Sequence, residues 1–190
     1  MKKIGIVFTL LTICLTLGAS WVEVNDLPQG YDFSSITSDQ SATVLHFALD
    51  GYSATEERRD GTAFTHITYE GVGSTLQEGL PQLPQFSRMV IIPNSGEVNV
   101  EVLQQHTQRI TGIQPYPAQQ LLPESGHNTP EFAYNQAYYA AGDAYPAQAV
   151  QVSKPMIMRD YRVVIVTVNP LRYDPQNNSM IVTSQLECRL

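Results

Sequence analysis

The chain is predicted to be all-β, an antiparallel β-sandwich carrying one long Pro- and Tyr-rich loop, and three observations lead there. Apolar residues recur at every second position in several short runs, the period of a strand with one face buried. Gly, Pro, Asn and Asp punctuate those runs where the chain must turn. No window holds a 3.6-residue apolar stripe of helical length, so helices are not expected to build the core.

The first residues have the layout of a secretory signal: Lys2 and Lys3, an uncharged apolar run from Ile4 to Leu17, then Gly18, Ala19 and Ser20. That run is too short to cross a hydrocarbon core of about 30 Å comfortably, and cleavage is placed between Ser20 and Trp21. A lipid attachment at Cys14 is disfavoured by the bulky Ile13 before it. An exported chain with no stable membrane anchor after cleavage is expected. Without residues 1–20 the chain has nine cations against eighteen acids, a formal charge of −9 rather than −7, which argues against a nucleic-acid partner. One cysteine, Cys188, would remain, so stability must come from packing and not from an internal disulfide.

Residues 21–41 mix polar, turn-forming and isolated aromatic side chains without a period, and read as a leader or peripheral strand with little order. The sandwich is placed at 42–190. Leu45, Phe47 and Leu49 alternate on one face, and Ile67 and Tyr69 continue it after the polar stretch Ser53–Thr62. A long hairpin with a solvated tip at 56–61 is predicted. Met89–Ile92 is a continuous apolar run ended by Pro93, and Val98, Val100 and Val102 alternate after the turn residues Asn94-Ser95-Gly96. This pattern predicts a hairpin of one fully buried and one half-exposed strand. Tyr161–Val168 and Met180–Leu190 flank the turn-forming Asp174-Pro175-Gln176-Asn177-Asn178 and are predicted to pair.

In the last strand Met180, Val182, Leu186, Cys188 and Leu190 share one face, with Ser184 as the exception. The pattern reaches the final residue without a polar tail, and a longer parent polypeptide is expected. Gln114–Ala149 contains Pro115, Pro117, Pro123, Pro130 and Pro146, too many for central strands. A connection this long inside a compact domain is usually functional or disordered, which makes it the preferred working surface.

Glu78-Gly79-Leu80-Pro81-Gln82-Leu83-Pro84, running into Arg88-Met89-Val90-Ile91-Ile92-Pro93 and then Val98-Asn99-Val100-Glu101-Val102, resembles the propeptide signature of the gingipains, peptidase family C25. Tyr145-Pro146, Met158-Arg159-Asp160-Tyr161-Arg162, Val166-Thr167-Val168-Asn169-Pro170 and Tyr173-Asp174-Pro175 are similar to that family's second half in order and spacing. The resemblance covers residues 44–190. It implies a β-sandwich propeptide preceding a Cys/His protease domain in the same polypeptide. Such a module assists folding and keeps the enzyme latent by covering its active-site cleft until it is cut away. It also implies secretion, or display on the cell surface, by a Gram-negative bacterium.

No catalytic residue is expected in this chain. Cys188 lies on the apolar face of a strand, where a thiol behaves as a small hydrophobe. His46, His66, His106 and His127 lack metal-ligand spacing, so no metal and no cofactor are expected. Gly71-Val72-Gly73 lacks the third glycine and the helix of a dinucleotide loop, and Asn177-Asn178-Ser179 is explained by turn propensity. Arg58-Arg59 is a possible processing site, although its acidic neighbours Glu56, Glu57 and Asp60 make a solvated loop the simpler account.

Tethering raises the effective concentration of a blocking segment to about millimolar, so occupying a cleft needs no unusual chemistry. Glu131, Phe132, Tyr138 and Tyr139 are the expected contacts with the protease domain, the alternative being that the rings pin the loop to the sandwich. Arginine-specific members of the family are thought to place a basic residue in the specificity pocket. Here no Lys or Arg occurs between Arg109 and Lys154. Either another element carries the plug, or the partner does not prefer basic residues. A carbohydrate- or surface-binding sandwich is the competing function, since exported β-modules stack exposed aromatics on sugars.

Overall fold

The computed structural model describes residues 18–28, 30–39, 42–120 and 131–190. Thirteen strands run β1 (Ser20–Glu23), β2 (Asp32–Ser38), β3 (Thr43–Ala48), β4 (Gly51–Arg59), β5 (Thr62–Thr68), β6 (Gly73–Ser74), β7 (Pro84–Ile91), β8 (Glu101–Thr111), β9 (Val150–Val152), β10 (Met156–Met158), β11 (Tyr161–Val168), β12 (Leu171–Asp174) and β13 (Ser179–Arg189). Helix α1 (Gln136–Ala141) precedes β9, and a 3₁₀ turn (Pro175–Asn177) joins β12 to β13. These thirteen strands pair antiparallel in three sheets, ordered β12-β13-β3-β2 with β8 also on β13, β10-β11-β7-β6 with β9 also on β11, and β1-β4-β5.

Strand β13 is the spine of the first sheet. One edge is lined by β8, from Ser179 opposite Thr111 to Arg189 opposite Glu101. The other edge takes β12 over its first half and β3 over its second. The handover falls at Ser184, the residue that breaks the apolar alternation, where the register with β8 slips between Thr183 and Gln185. The polar exception is thus a β-bulge. The Ser184 carbonyl accepts from the Leu49 amide at 3.0 Å and from Asn25 Nδ2 at 2.9 Å.

The inner faces meet in one core. Leu45, Phe47, Met180, Val182, Leu186 and Cys188 come from the first sheet, and Phe86, Val90, Val164, Val166 and Val168 from the second. Tyr52 and Ile67 add the third sheet to the same cluster. Burying each large apolar side chain contributes about 1.5–3 kcal/mol, and among the described residues this core, with Cys188 a free thiol inside it, does the work of a cross-link.

Several expected pairings are corrected. The hairpin around residues 56–61 is β4–β5, closed by Asp60 and Gly61 at φ 50° and 81°, the two left-handed positions of a type I′ turn. Its polar stretch is paired strand, and β3, expected to belong to it, lies in the first sheet. Met89–Ile92 is not fully buried, since Met89 and Ile91 are exposed while Val90 and Ile92 point inward. Nor does it pair with 98–102: β7 pairs with β11, and β8 with β13. Tyr161–Val168 and Met180–Leu190 likewise sit in different sheets, while the turn at 174–178 joins β12 to β13. Alternation identifies which face of a strand is buried, and neighbours far apart in sequence leave no mark on it.

The described residues within 21–41 are paired where little order was expected. Strand β1 pairs with β4 and β2 with β3, and Phe33 is buried edge-on to Phe47 at 5.6 Å. Tyr31 stands edge-on to Phe86 at 4.7 Å, and Trp21 to Tyr69 at 5.9 Å. The isolated aromatics that looked aperiodic are anchors, each reaching the sandwich from an edge. The apolar run of the expected signal segment lies outside the described residues, and Ser20 and Trp21 open β1.

Candidate functional site

From Gln114 to Ala118 the Pro-rich connection after β8 is held as tightly as a strand. Thr65 N–H donates to Gln114 C=O and Tyr116 N–H to Thr65 C=O, both at 2.8 Å. On the opposite side Gln82 N–H donates to Tyr116 C=O at 2.8 Å and Ala118 N–H to Leu80 C=O at 2.7 Å. The even-numbered residues carry these bonds. Pro115 and Pro117 occupy the positions between, where no backbone N–H is required.

Gln119 then fixes where the connection leaves the body. Its Nε2 donates to Pro117 C=O at 2.8 Å and to Ala133 C=O at 3.0 Å, and its Oε1 accepts from Ala133 N–H at 2.9 Å. The side-chain amide thereby joins the outgoing and returning legs on either side of residues 121–130, which lie outside the described residues together with His127.

Aromatic rings form the platform beneath. Phe64 of β5 meets Tyr116, Phe132 and Tyr134 edge-on or nearly so at 5.9, 5.7 and 5.4 Å. His66 stacks on Tyr116 at 3.9 Å and bonds Glu57 at 2.7 Å. That bond, with a second from Arg59 at 3.0 Å, holds the Glu57 carboxyl below its ordinary range. The Arg59 guanidinium also lies 5.2 Å over the Phe132 ring, a cation–π contact. Helix α1 begins at Asn135, whose Oδ1 accepts from Tyr138 N–H at 3.0 Å. It ends at Gly142, where any Cβ would collide with the Tyr138 ring.

The four expected contacts separate into two groups. Glu131 is exposed and Phe132 half-buried, so both present surface beside the 121–130 segment. Tyr139 is buried, its hydroxyl donating to Pro115 C=O at 2.9 Å, and half-buried Tyr138 reaches toward Tyr173 C=O at 3.4 Å. Burial raises both phenols above their ordinary pKa and pushes Tyr173 up to about 12, so all three are neutral donors at neutral pH. Tyr138 and Tyr139 thus lie beneath the platform and pin it to the sandwich, and their contact with a protease domain stays a proposal. Arg58 and Arg59 close the type I′ hairpin in register with Ala63 and Thr62, with Arg59 engaged as described. Gln119, Phe64, Tyr116 and Tyr134 were not singled out in the sequence. For Tyr116 the signal is the Pro-Tyr-Pro-Ala alternation, which leaves every second amide free to pair, whereas Phe64, Gln119 and Tyr134 carry no such local mark.

Nothing in the described chain resembles a nucleophilic centre. Cys188 is fully buried in the core, burial pushes its thiol up to about 11, and it faces Leu45 in register. His46, beside Leu45 and thus on the opposite face, lies near Asp32 and Glu187. His106 is exposed at 2.8 Å from Gln104 Nε2. The site can hold and present a length of backbone. It has no thiolate to attack with.

The comparisons with known proteins agree with such a role. The family model Propeptide_C25 matches residues 25–190. The chain belongs to the C25 propeptide family. Lys-gingipain HG66 of Porphyromonas gingivalis is 26% identical over 148 residues, covering 74% of this chain and 8% of the relative. Gingipain R1 of the same organism is 24% identical over 185 residues, covering 94% and 18%. The propeptide thus spans a fifth or less of the curated relatives it matches. The solved complex of Porphyromonas gingivalis RgpB pro- and mature domains superposes with a TM-score of 0.74 at 20% identity, covering 83% of this chain and 82% of that one. A structure addressing zymogenic latency of gingipain K from Porphyromonas gingivalis gives 0.73 at 22% identity, covering 90% and 96%. At those identities the structural likeness establishes the shared propeptide fold.

Proposed function

We propose that this propeptide folds beside a gingipain-like cysteine endopeptidase domain of its own parent polypeptide and keeps it latent by covering the active-site cleft until proteolytic removal. The match to the C25 propeptide model along nearly the whole chain carries the reading. The geometry supports it. A blocking segment must be held at both ends to resist becoming a substrate, and Gln119 and the ring platform provide that hold on the two legs around 121–130. Glu131 and Phe132 are the contacts proposed at the rim. Rigid presentation lowers the entropy lost on binding, and tethering supplies the concentration.

Export to the cell surface or medium of a Gram-negative bacterium, with signal cleavage between Ser20 and Trp21, belongs to the same proposal. That cut leaves Trp21–Glu23 free to remain paired with β4. Arg58-Arg59 is retained only as a secondary processing site. The test adds the purified propeptide to the mature protease domain of its parent and follows peptide hydrolysis. Slower hydrolysis at micromolar propeptide is expected; unchanged hydrolysis with a folded propeptide removes the proposal. The competing carbohydrate-binding role would show as glycan binding by the folded chain.

A further inference from the structure

Strand β8 is an edge that the fold leaves open. It pairs with β13 along one side only, and every residue from Glu101 to Arg109 is exposed, as is Thr111. Its outward-facing groups can be assigned. The Ser184 hydroxyl donates to His106 C=O at 3.4 Å and Gly112 N–H to Asn178 C=O at 3.0 Å, so the even-numbered residues turn toward β13. Thr183, opposite Thr107, donates its own N–H to Pro170 C=O on the β12 side of β13. Gln105, Thr107, Arg109 and Thr111 therefore aim N–H and C=O away from the sheet. Among the described residues none of these backbone groups meets another strand.

An open edge is a template for another strand, and proteins blunt it by shortness, by Pro or Lys, by a bulge, or by a cover. The other edges here follow that rule. Strands β1, β6, β9, β10 and β12 have four residues or fewer. Strand β2 is broken in register between Ser35 and Thr37, and Thr65 of β5 is covered by Gln114 and Tyr116. Strand β8 is different: it has 11 residues, and 102–108 contain no Pro, Gly, Asp, Glu, Lys or Arg. Its one slip against β13 skips Leu103 and leaves Gln104–Thr111 without a bulge.

We infer that β8 adds to β8 of a second copy of this chain, antiparallel about a two-fold axis at Thr107, joining the two first sheets into one. The reversed strand is its own complement. Thr107 meets Thr107 and Gln105 meets Arg109, so each outward-facing pair exchanges two backbone bonds. Between them His106 meets Gln108, and no like charges stand opposite each other. The flanking Glu101 and Arg109 already hold counter-ions in their own chain, Arg189 and Asp174, which leaves no unbalanced charge on the strand to select a foreign partner. A strip one strand wide buries less than a standard interface, and the two acidic bodies repel. The dimer is therefore weak and tightens with added salt. It requires nothing of the proposed latency and stands apart from it.

Sedimentation velocity of the purified chain, from micromolar to submillimolar concentration, should show a monomer–dimer equilibrium. Amide exchange over the same range identifies the strand. The Gln105, Thr107 and Arg109 amides should slow as concentration rises, whereas His106, Gln108 and Ile110, which face β13, stay protected throughout. Thr107→Pro deletes both donors of the central pair while leaving the ladder with β13, and Thr107→Lys keeps the amide but sets two cations face to face. Each should weaken dimerisation roughly tenfold. Met158→Glu, on the exposed apolar face of the second sheet, is the control and should leave the dimer unchanged. Matching thermal melts establish that each variant folds. A chain that stays monomeric across the range overturns the inference. So does a dimer that Met158→Glu disrupts and the Thr107 variants do not, or one whose Gln105, Thr107 and Arg109 amides exchange at the same rate at every concentration.

Discussion

The side-chain amide of Gln119 bonds both backbone polar groups of Ala133, accepting from its N–H at 2.9 Å and donating to its C=O at 3.0 Å. One side chain therefore does the work of a short β-ladder between the two legs of the long connection. Gln119→Ala leaves both backbone groups without these partners and should cost about 1–3 kcal/mol. Gln119→Glu should cost more, because a carboxylate would face the carbonyls of Pro117 and Ala133. A lower Tm with faster amide exchange at Ala133 is expected, together with weaker inhibition of the protease domain. An unchanged Tm in both variants would show that the legs are held by the rings alone.

How much of this was legible beforehand depends on the range of the interaction. The β class, the buried face of β13 and the turn at 174–178 follow from local periodicity and turn chemistry, and the bulge at Ser184 announced itself as the one break in an alternation. The other strand partners did not, because β13 gathers β3 and β8 from sequence separations that no local pattern encodes. At the site, the Pro content correctly singled out the connection but suggested a slack loop. Pairing through Tyr116 and Ala118 reverses that, with Tyr139 buried against Pro115.

Acid should loosen the β12–β13 turn. The Asp174 carboxylate accepts from Asn177 Nδ2 and from Arg109 Nη1, each at 2.8 Å, and these bonds, Asn177's first, hold its pKa below the ordinary carboxylate value. A carboxyl depressed in the folded state contributes stability above its unfolded pKa, near 4, and loses it as pH falls through the folded value. Melting temperature should therefore drop on acidification below about pH 4, and Asp174→Asn should flatten that limb of the curve. At neutral pH the substitution should cost about 0.5–2 kcal/mol, the scale of a lost cap. Parallel pH profiles for the two chains would exclude Asp174 as the titrating group.

Cys188 should be chemically silent while the chain is folded. It is fully buried, and burial pushes its thiol up to about 11, so almost none is thiolate at neutral pH. A thiol-reactive chromogen should label it only after denaturant unfolds the sandwich, with labelling following the unfolding transition. Cys188→Ser buries a hydroxyl in an apolar layer and should destabilise by about 1–3 kcal/mol. Rapid labelling of the native chain would contradict the burial of β13 on which the core depends.

Arg58-Arg59 should resist a trypsin-like protease in the folded chain. Both residues are in register with the returning strand, and Arg59 is further held by Glu57 and the Phe132 ring. A protease binds its substrate as an extended single strand, so cleavage after Arg59 requires the hairpin end to open first. The weak point is Gly61, whose φ of 81° is strained for any other residue, with open space where its Cβ would be. Gly61→Ala should therefore destabilise the turn by about 1 kcal/mol through the backbone alone, raising the open population roughly fivefold. Limited trypsinolysis with mass spectrometry should find slow cutting at this site in the parent chain and about fivefold faster cutting in the variant. Equal and rapid cutting in both would mean that the hairpin end opens independently of its turn, and would restore Arg58-Arg59 as an exposed processing loop.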